Sequence, residues 1–316
     1  MEKIDAVITW VDGSDLNYQK KLKKYLKDNN TIRRQYLQAN EICLCIASII
    51  KYAPFIRKIF IVTDNQTPDL NNIKDFVSLD KVIIIDHKKV FENYEGFLPT
   101  FNIRSIDAVL HRIEGLSEKF IYFNDDMFLI KKTSPEDWFV GNKAVLTGNW
   151  VKSYNKKPIK VISQKIKSFF NMRPSYNASQ SKAANIAGFN SMYFKSYHCG
   201  RPQKKSIIKD FYNKFPQRLE SQIKHKFRNP EQFMPYSLCW HLLIKENLYV
   251  ESSTNKLIEI EKSKKLSPEE LSKLLHSIDT KKEVKFLNIQ DLNLAQKETQ
   301  KVFQNWFFKK LRQQTK

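Results

Sequence analysis

The sequence is poor in glycine and cysteine, and it contains no long apolar run. Seven of its 316 residues are Gly, which excludes collagen-like repeats and Gly-rich linkers. Its four Cys form no Cys-x-x-Cys pair, so we expect reduced core residues rather than a zinc knuckle or a disulfide framework. No apolar run approaches the ~18 residues of a membrane span, so no spanning helix is predicted. The opening residues MEKIDAVITW lack a basic segment followed by an apolar one, so we expect a cytoplasmic protein without a signal peptide.

Acidic residues are scarce relative to basic ones. Lys and Arg number 54 against 33 Asp and Glu, a formal net charge of +21. Such an excess favours polyanionic partners, namely nucleic acid, anionic lipid or phosphorylated substrates, although a solubilising Lys-rich surface explains it equally well. A nucleic-acid-binding protein is therefore one alternative. No helix-turn-helix, RRM or zinc pattern supports it, and we expect no nucleic acid partner.

The first half of the chain alternates between strand-like and helical patterns. Short apolar runs have the length and composition of strands that are buried on both faces of a parallel sheet. Helical spacing of apolar residues separates them at residues 40–52 and 102–114. This alternation predicts an α/β fold, Rossmann-like, with a mostly parallel central sheet flanked by helices. The strand-like runs are residues 6–11, 58–63, 81–86 and 120–123.

After about residue 150 the pattern becomes more helical and more basic. Residues 156–158 and 177–182 are polar and are predicted to be irregular, and a strand is predicted at 284–289. The tail at 293–312 reads as an amphipathic basic helix, which either touches the inner membrane or packs on the core. The predicted helices and the Lys-rich segment of this half are residues 206–215, 231–246 and 259–273.

Acidic and small polar residues follow three of the predicted strands, at 12–15, 64–67 and 124–126. Ligands of open α/β sheets bind beyond the carboxyl ends of the strands, so these loops predict one shared site. Asp125 and Asp126 come directly after a buried strand, where two carboxylates are costly unless a cation such as Mg²⁺ or Mn²⁺ neutralises them. For Asp15 we expect only a helix N-cap.

Several familiar site motifs are missing. The chain has no GxGxxG or Walker A sequence, no HExxH and no GxSxG, so those nucleotide, zinc and hydrolase sites are unsupported. His198 and Arg228, taken alone, read as a structural histidine and a surface cation.

Taken together, the segments resemble the Stealth family of sugar-1-phosphate transferases. The family includes bacterial capsular polysaccharide phosphotransferases and the animal enzyme that places GlcNAc-1-phosphate on lysosomal hydrolases. The first matching block is residues 4–15, IDAVITWVDGSD, and the second begins at Asn40-Glu41 and ends at 120–126, FIYFNDD. Weaker blocks lie around His198 and at 227–232. The family commonly has Glu at the position of Asp107, and His198 is followed by Cys-Gly-Arg rather than by the usual His-x-Pro pattern.

The resemblance implies transfer of a hexose-1-phosphate, for example GlcNAc-1-phosphate, from a UDP-sugar to an acceptor sugar hydroxyl. UMP would leave and a phosphodiester would form, in the synthesis of a capsular or other surface polysaccharide. The alternative is a metal-dependent glycosyltransferase that releases UDP. The acceptor would be a saccharide, and a lipid-linked one would place the protein peripherally at the inner face of the plasma membrane.

The resemblance also implies a glycosyltransferase A-like fold and a division of the chain. Residues 1–150 would form the α/β nucleotide-sugar-binding core, and residues 151–316 would form a helical, basic portion that completes one integrated catalytic unit. Asp125 and Asp126 would hold Mg²⁺ or Mn²⁺. His198 would be a base or a donor to phosphate, since its ordinary pKa of about 6.5 suits proton transfer. The catalytic residues would be Asp107, Asp126, His198 and Arg228, and the nucleotide would be bound by Thr9, Trp10, Asp12 and Asn65.

Overall fold

The computed structural model describes residues 2–26, 39–154 and 175–313. The prediction for residues 156–158 lies outside them. The strands are β1 Ile4–Thr9, β2 Ile56–Thr63, β3 Val82–Asp86, β4 Lys119–Phe123, β5 Met127–Leu129, β6 Phe139–Val140, β7 Lys143–Leu146, β8 Gly148–Lys152, β9 Met192–Ser196, β10 Arg201–Lys204, β11 Tyr249–Glu251, β12 Leu257–Ile260 and β13 Phe286–Ile289. The α-helices are α1 Leu16–Lys23, α2 Glu41–Tyr52, α3 His87–Val90, α4 Ile103–Val109, α5 Tyr176–Ala187, α6 Lys205–Lys214, α7 Pro216–Ile223, α8 Pro235–Lys245, α9 Pro268–Thr280 and α10 Lys297–Arg312. Short 3₁₀ helices lie at Glu95–Phe97, Leu110–Arg112, Pro135–Asp137, Thr254–Lys256, Ser263–Lys265 and Leu292–Leu294.

A five-stranded sheet with the order β10-β4-β1-β2-β3 forms the centre of the molecule. Strands β1 to β4 run parallel, and β10 joins the edge beside β4 in the antiparallel direction. Every residue of β1 and β4 is buried, which is why these strands are almost continuously apolar. The predicted α/β fold with a mostly parallel sheet is confirmed.

A second, three-stranded sheet joins the two halves of the chain. Strand β13 pairs antiparallel with β5 and parallel with β12. Since β5 directly follows the turn that carries Asp125 and Asp126, strands from the last quarter of the sequence lie beside that turn. One cluster of buried apolar residues includes members from both sides of residue 150. The division into 1–150 and 151–316 stays a prediction.

Helix α5 corrects the expectation that residues 177–182 are irregular. Its buried face is made mostly of Ser and Ala residues, including Ser181 and Ala184, so the apolar periodicity that marks a helix in sequence is weak. The Ser181 hydroxyl lies 2.8 Å from the Ser153 hydroxyl, which satisfies a buried polar group that would otherwise disfavour the helix. Helix α8 begins at Pro235 rather than near residue 231, in the N-terminal position that Pro favours.

Other sequence predictions agree with the structure. All four cysteines are free and buried. Asp15 caps α1 by accepting the Tyr18 backbone N–H at 2.6 Å. The last strand and the last helix form close to their predicted positions.

The tail helix α10 packs on the core, as one of the two readings of the tail predicted, and contact of the tail with the inner membrane stays a prediction. Phe303 and Phe307 are fully buried, and their rings lie 5.2 Å and 5.5 Å from the ring of Phe128. The apolar face of α10 is therefore occupied by the protein itself. Within residues 2–26, 39–154 and 175–313, no helix is both long enough and apolar enough to cross a bilayer.

The ion pair between the buried Asp5 on β1 and Arg57 on β2 provides a test of what stabilises the sheet. The Asp5 carboxylate is fully buried and accepts hydrogen bonds from Arg57 Nε at 2.9 Å, from Arg57 Nη2 at 2.6 Å and from the Ser117 backbone N–H at 2.7 Å. We expect Asp5→Asn to lower the free energy of unfolding by about 3 kcal/mol, because it leaves the guanidinium without its charged partner. Urea denaturation measures the change. Asp75→Asn, at an exposed position, is the control, and equal stability of the two variants would contradict the expected role of the pair.

Candidate active site

A cavity of about 470 Å³ opens beyond the carboxyl end of β4. The four residues predicted to be catalytic all line it, although they come from distant parts of the chain. Asp107 lies on α4, Asp126 in the turn after β4, His198 between β9 and β10, and Arg228 between α7 and α8. The fold therefore brings together the four side chains that the sequence could only name separately.

The turn that carries Asp126 is held by the second sheet. The backbone carbonyl of Asp126 accepts hydrogen bonds from Asn288 Nδ2 at 2.9 Å and from the Ile289 backbone N–H at 3.2 Å. Its Oδ1 atom is buried and has no hydrogen-bond partner among the described residues. Burial raises the pKa of the Asp126 carboxyl, against the opposing effects of His198 and Arg201. A buried acceptor without a partner is expected where a ligand binds.

Asp107 is also buried in the cavity wall with an unpartnered Oδ1. Burial raises the pKa of this carboxyl to about 7, although a hydrogen bond from Tyr122 and the charge of Arg201 work in the opposite direction. The Tyr122 hydroxyl also lies 3.0 Å from Thr9 Oγ1. A carboxyl group that titrates near neutral pH is suited to proton transfer.

The start of α4 is tied to the segment that carries Arg228. Asn102 caps α4 by accepting the Arg104 backbone N–H, and its amide donates to the carbonyls of His225 and Phe227, each at 3.0 Å. The rings of Phe101 and Phe227 stack with their centroids 5.5 Å apart. One asparagine thus fixes Asp107 and Arg228 relative to each other.

His198 is held on two sides. Its ring stacks on Tyr176 with centroids 5.0 Å apart. Its backbone N–H donates to Glu259 Oε1 at 2.5 Å, and its Nδ1 lies 3.4 Å from the same oxygen. Burial raises the pKa of Glu259, but the hydrogen bonds from His198 outweigh this and lower it below its usual value.

Arg201 is a cavity residue that the sequence analysis did not select. It is 1% exposed, its guanidinium carbon lies 4.1 Å from the centre of the Tyr236 ring, and its Nη1 lies 3.4 Å from Asn124 Oδ1. Its Nε is buried without a hydrogen-bond partner among the described residues. A charged donor that is buried beside a cavity favours an anionic ligand.

Gly200 explains how Arg201 reaches this position. A Cβ atom at residue 200 would lie 2.7 Å from side-chain atoms of both Phe123 and Trp138. Glycine therefore lets β10 approach β4 closely. The only sequence signal for Arg201 was its place three residues after His198, in the segment that departs from the family pattern.

A smaller cavity of about 100 Å³ adjoins the first and shares Ile103 and Arg228 with it. Thr9 and Trp10 line it, as does Asp125. The indole N–H of Trp10 and the Thr100 hydroxyl are buried without hydrogen-bond partners among the described residues. Asp125 and Asp126 therefore face different cavities, with Arg228 common to both.

Asp12 and Asn65, which were predicted to bind the nucleotide, line neither cavity. Asp12 accepts the backbone N–H and the hydroxyl of Ser14 and exchanges two hydrogen bonds of 2.9 Å with Gln66. Asn65 has a left-handed backbone and donates its N–H to Asp86. Both residues shape the loops after β1 and β2, and their predicted contact with nucleotide stays a prediction.

One feature of the site, an unpartnered carboxylate oxygen, fits the predicted divalent cation. Within the described parts of the chain, no group of three or more His, Cys, Asp or Glu residues encloses a metal position. Mg²⁺ commonly uses one or two carboxylates together with phosphate oxygens of the substrate. The unpartnered Oδ1 of Asp126 matches that arrangement.

Asp107 yields a prediction about stability and pH. Its pKa is about 7 in the folded protein and about 3.9 in an unfolded chain, so the folded state binds more protons between these values. Stability therefore falls as the pH rises from about 4 to about 7, by at most about 4 kcal/mol. We expect Asp107→Asn to raise the free energy of unfolding by about 2 kcal/mol at pH 8 and by little at pH 4. Urea denaturation at both pH values measures this, and a variant less stable than the wild type at pH 8 would show that the carboxylate is structural.

Two family models match the chain. Stealth protein CR1, conserved region 1, matches residues 2–30, and Stealth protein CR2, conserved region 2, matches residues 35–147. The first contains Thr9 and Trp10, and the second contains Asp107, Asp125 and Asp126.

Curated relatives include capsular polysaccharide phosphotransferases. The chain is 31% identical over 248 residues to fcs1 of Haemophilus influenzae, which covers 74% of this chain and 65% of that protein. It is 31% identical over 254 residues to cps1A of Actinobacillus pleuropneumoniae, which covers 75% of this chain and 64% of that protein. The chain thus spans slightly less than two thirds of the length of these relatives.

Among solved structures, the chain is similar to the galactosyltransferase LgtC, with a TM-score of 0.42 and 9% identity over 96% of this chain and 95% of that one. It is also similar to the bifunctional glycosyltransferase WbbM, with a TM-score of 0.46 and 13% identity over 98% of this chain and 50% of that one. On the evidence of the two conserved regions and of the curated relatives, the chain belongs to the Stealth family.

Proposed function

We propose that this chain is a phosphotransferase that moves a hexose-1-phosphate, such as GlcNAc-1-phosphate, from a UDP-sugar to a hydroxyl of an acceptor saccharide. The product would be a phosphodiester in a capsular or other surface polysaccharide. Relatives that carry the name capsular polysaccharide phosphotransferase support the proposal. The observation that carries it is one cavity in which Asp107, Asp126 and His198 face Arg201 and Arg228.

The charges of the cavity suit a diphosphate. Arg104, Arg201 and Arg228 line it, and burial raises the pKa of both Asp107 and Asp126, which disfavours their charged forms. The wall is therefore more positive than a count of ionisable residues suggests. Guanidinium groups bind phosphate oxygens with paired hydrogen bonds, so a donor with two phosphates matches this wall.

The two adjoining cavities suggest how the donor lies. The diphosphate would sit at Arg228, which borders both. The nucleoside would occupy the smaller cavity, where Trp10 and Phe101 offer aromatic surface. The sugar and the acceptor would share the larger one.

In the proposed reaction, the acceptor hydroxyl oxygen attacks the β-phosphorus of the donor. A new P–O bond forms, the bond from the β-phosphorus to the bridging oxygen breaks, and UMP leaves with that oxygen. His198 takes the hydroxyl proton, and Arg228 neutralises charge on the phosphates. Transfer of this kind depends mainly on positioning and electrostatic stabilisation.

Asp126 would hold a divalent cation, Mg²⁺ or Mn²⁺, and Asp125, which faces the smaller cavity, stays a predicted ligand. When bound, the cation would supply further positive charge for the diphosphate. Asp107, buried and with a pKa of about 7, would hydrogen-bond the bound phosphates or sugar.

The acceptor would be a saccharide, either free or lipid-linked. A lipid-linked acceptor would require contact with the inner face of the plasma membrane. That contact would involve a surface other than the apolar face of α10, since Phe303 and Phe307 are buried in the core.

The identity of the released nucleotide tests the proposal. We expect the protein to release UMP from at least one member of a panel of UDP-sugars when Mg²⁺ or Mn²⁺ and a capsular oligosaccharide are present. Chromatography of the nucleotides and ³¹P NMR of the phosphodiester product measure the reaction. Release of UDP instead would support the alternative, a glycosyltransferase that attacks the anomeric carbon.

Substitutions test the assigned residues. We expect His198→Ala and Asp126→Ala to lower kcat by about 10²- to 10⁴-fold, because each removes a group that acts on the reacting atoms. Matched substitutions at exposed positions, His276→Ala and Asp75→Ala, should leave kcat unchanged. A folded His198→Ala or Asp126→Ala variant with near-normal turnover would remove that residue from the mechanism.

Binding of nucleotides tests the phosphate site separately from catalysis. We expect UDP to bind at least ~10-fold more tightly than uridine, and Arg228→Ala to reduce that preference, because a bidentate contact to phosphate is lost. Isothermal titration calorimetry measures both affinities. Arg218→Ala, at an exposed position on α7, is the control. Equal affinities of UDP and uridine for the wild type would contradict a diphosphate site at Arg228.

A further inference from the structure

We propose that Glu259 is a positioning residue, which fixes the ring of His198 so that its Nε2 faces the cavity. The proposal rests on the proposed function in one respect, namely that His198 takes a proton from the acceptor. Glu259 itself is not among the residues that line the cavity.

One oxygen of Glu259 serves two groups of the same histidine. Oε1 accepts the His198 backbone N–H at 2.5 Å and lies 3.4 Å from Nδ1. A carboxylate beside Nδ1 favours the tautomer that carries its proton there, which leaves the lone pair of the neutral ring on Nε2. Nε2 is then the ring atom that can accept a proton from a hydroxyl. Once it has done so, the negative charge of Glu259 stabilises the imidazolium.

Tyr176 supplies the second constraint on the ring. The two rings are nearly parallel, with an angle of 20° between their planes. The Tyr176 hydroxyl accepts a hydrogen bond of 2.6 Å from the Tyr236 hydroxyl, so the stacking partner is itself held. The stack fixes the plane of the imidazole, and Glu259 fixes which nitrogen points into the cavity.

The second sheet explains why Glu259 is in this place. In register, Glu259 of β12 lies opposite Asn288 of β13, and Asn288 lies opposite Met127 of β5. Residues opposite each other in neighbouring strands project from the same face of a sheet. The side chain of Asn288 donates to the backbone carbonyl of Asp126. The same row of the sheet thus supports Asp126 and brings Glu259 to His198.

The carboxylate is well suited to this role. The side chain of Glu259 is 20% exposed and that of His198 is 27% exposed, so the pair is partly shielded from water. A surface pair of this kind would be worth little. Here the same carboxylate oxygen also accepts the His198 backbone N–H, which holds it beside the ring.

Turnover tests the proposal. We expect Glu259→Ala to lower kcat by about 10- to 100-fold, the usual effect of removing an orienting partner, with the KM for the UDP-sugar changed by less than about 2-fold. Glu259→Gln keeps the length of the side chain and one acceptor oxygen but loses the charge. Its kcat should therefore lie between those of Glu259→Ala and the wild type. Glu261→Gln, two residues along the chain and exposed, should match the wild type. A folded Glu259→Ala or Glu259→Gln variant with wild-type kcat would overturn the proposal.

The tautomer of His198 provides a readout that does not depend on activity. In protein with ¹⁵N-labelled histidine, long-range ¹H–¹⁵N spectra identify the protonated nitrogen, and the His198→Gln variant assigns the signals. We expect a protonated Nδ1 in the neutral ring of the wild type and a shift toward protonated Nε2 in Glu259→Ala. If Glu259→Ala does not fold, Glu259→Gln takes its place, since it preserves the volume of the side chain.

The two measurements separate the two proposals. Absence of UMP release from every UDP-sugar would reject the proposed function, and the tautomer would still decide the role of Glu259. A wild-type ring protonated on Nε2, or a tautomer that does not change in the variants, would overturn the positioning role whatever the activity.

Discussion

The burial of opposite charges in one cavity wall is the constraint on which the rest of the structure depends. Asp107 and Asp126 are buried there beside Arg201, and each would be costly to bury alone. The attraction between Arg201 and the two carboxylates reduces the free-energy cost of burying them. It does not remove that cost, since burial still raises the pKa of both carboxyl groups. Unpartnered atoms remain on all three side chains. Burial of such polar groups lowers the stability of the fold, a cost that is typical of ligand-binding cavities.

The turn after β4 is where the two halves of the chain meet. Strand β10 pairs with β4 on one side of it, and β13 pairs with β5 on the other. The first attachment inserts Arg201 into the cavity wall, and the second holds the backbone of Asp126 and aligns Glu259 with His198. The distant C-terminal residues are thus part of the site because their strands extend the sheets that begin in the first half. Gly200 permits one of these attachments, since a side chain there would collide with Phe123 and Trp138.

The central fold could be predicted from the sequence because β1, β4 and most of β2 are buried, although no residue of the edge strand β3 is buried. Residues 58–63 and 120–123 are nearly continuous apolar runs, and burial of β2 and β4 accounts for that pattern. Helix α5 could not be predicted in the same way. Its inner face uses small residues that pack closely and serine hydroxyls that are satisfied by tertiary contacts, and neither leaves an amphipathic pattern.

The sequence by itself determined the α/β class, the strand-end acids Asp125 and Asp126, and, through resemblance, the family blocks that name Asp107, His198 and Arg228. Periodicity and the strand-end acids are local patterns, and the family blocks are short runs of neighbouring residues, so none of them requires the tertiary structure. Only the tertiary structure decided that Asp125 and Asp126 face different cavities, that Asp12 and Asn65 line neither, that Arg201 lines the larger cavity and that Glu259 contacts His198. Those facts depend on strand register and on close approach between segments up to about 160 residues apart, such as Asp126 and Asn288, and no local pattern specifies which distant strands will pair.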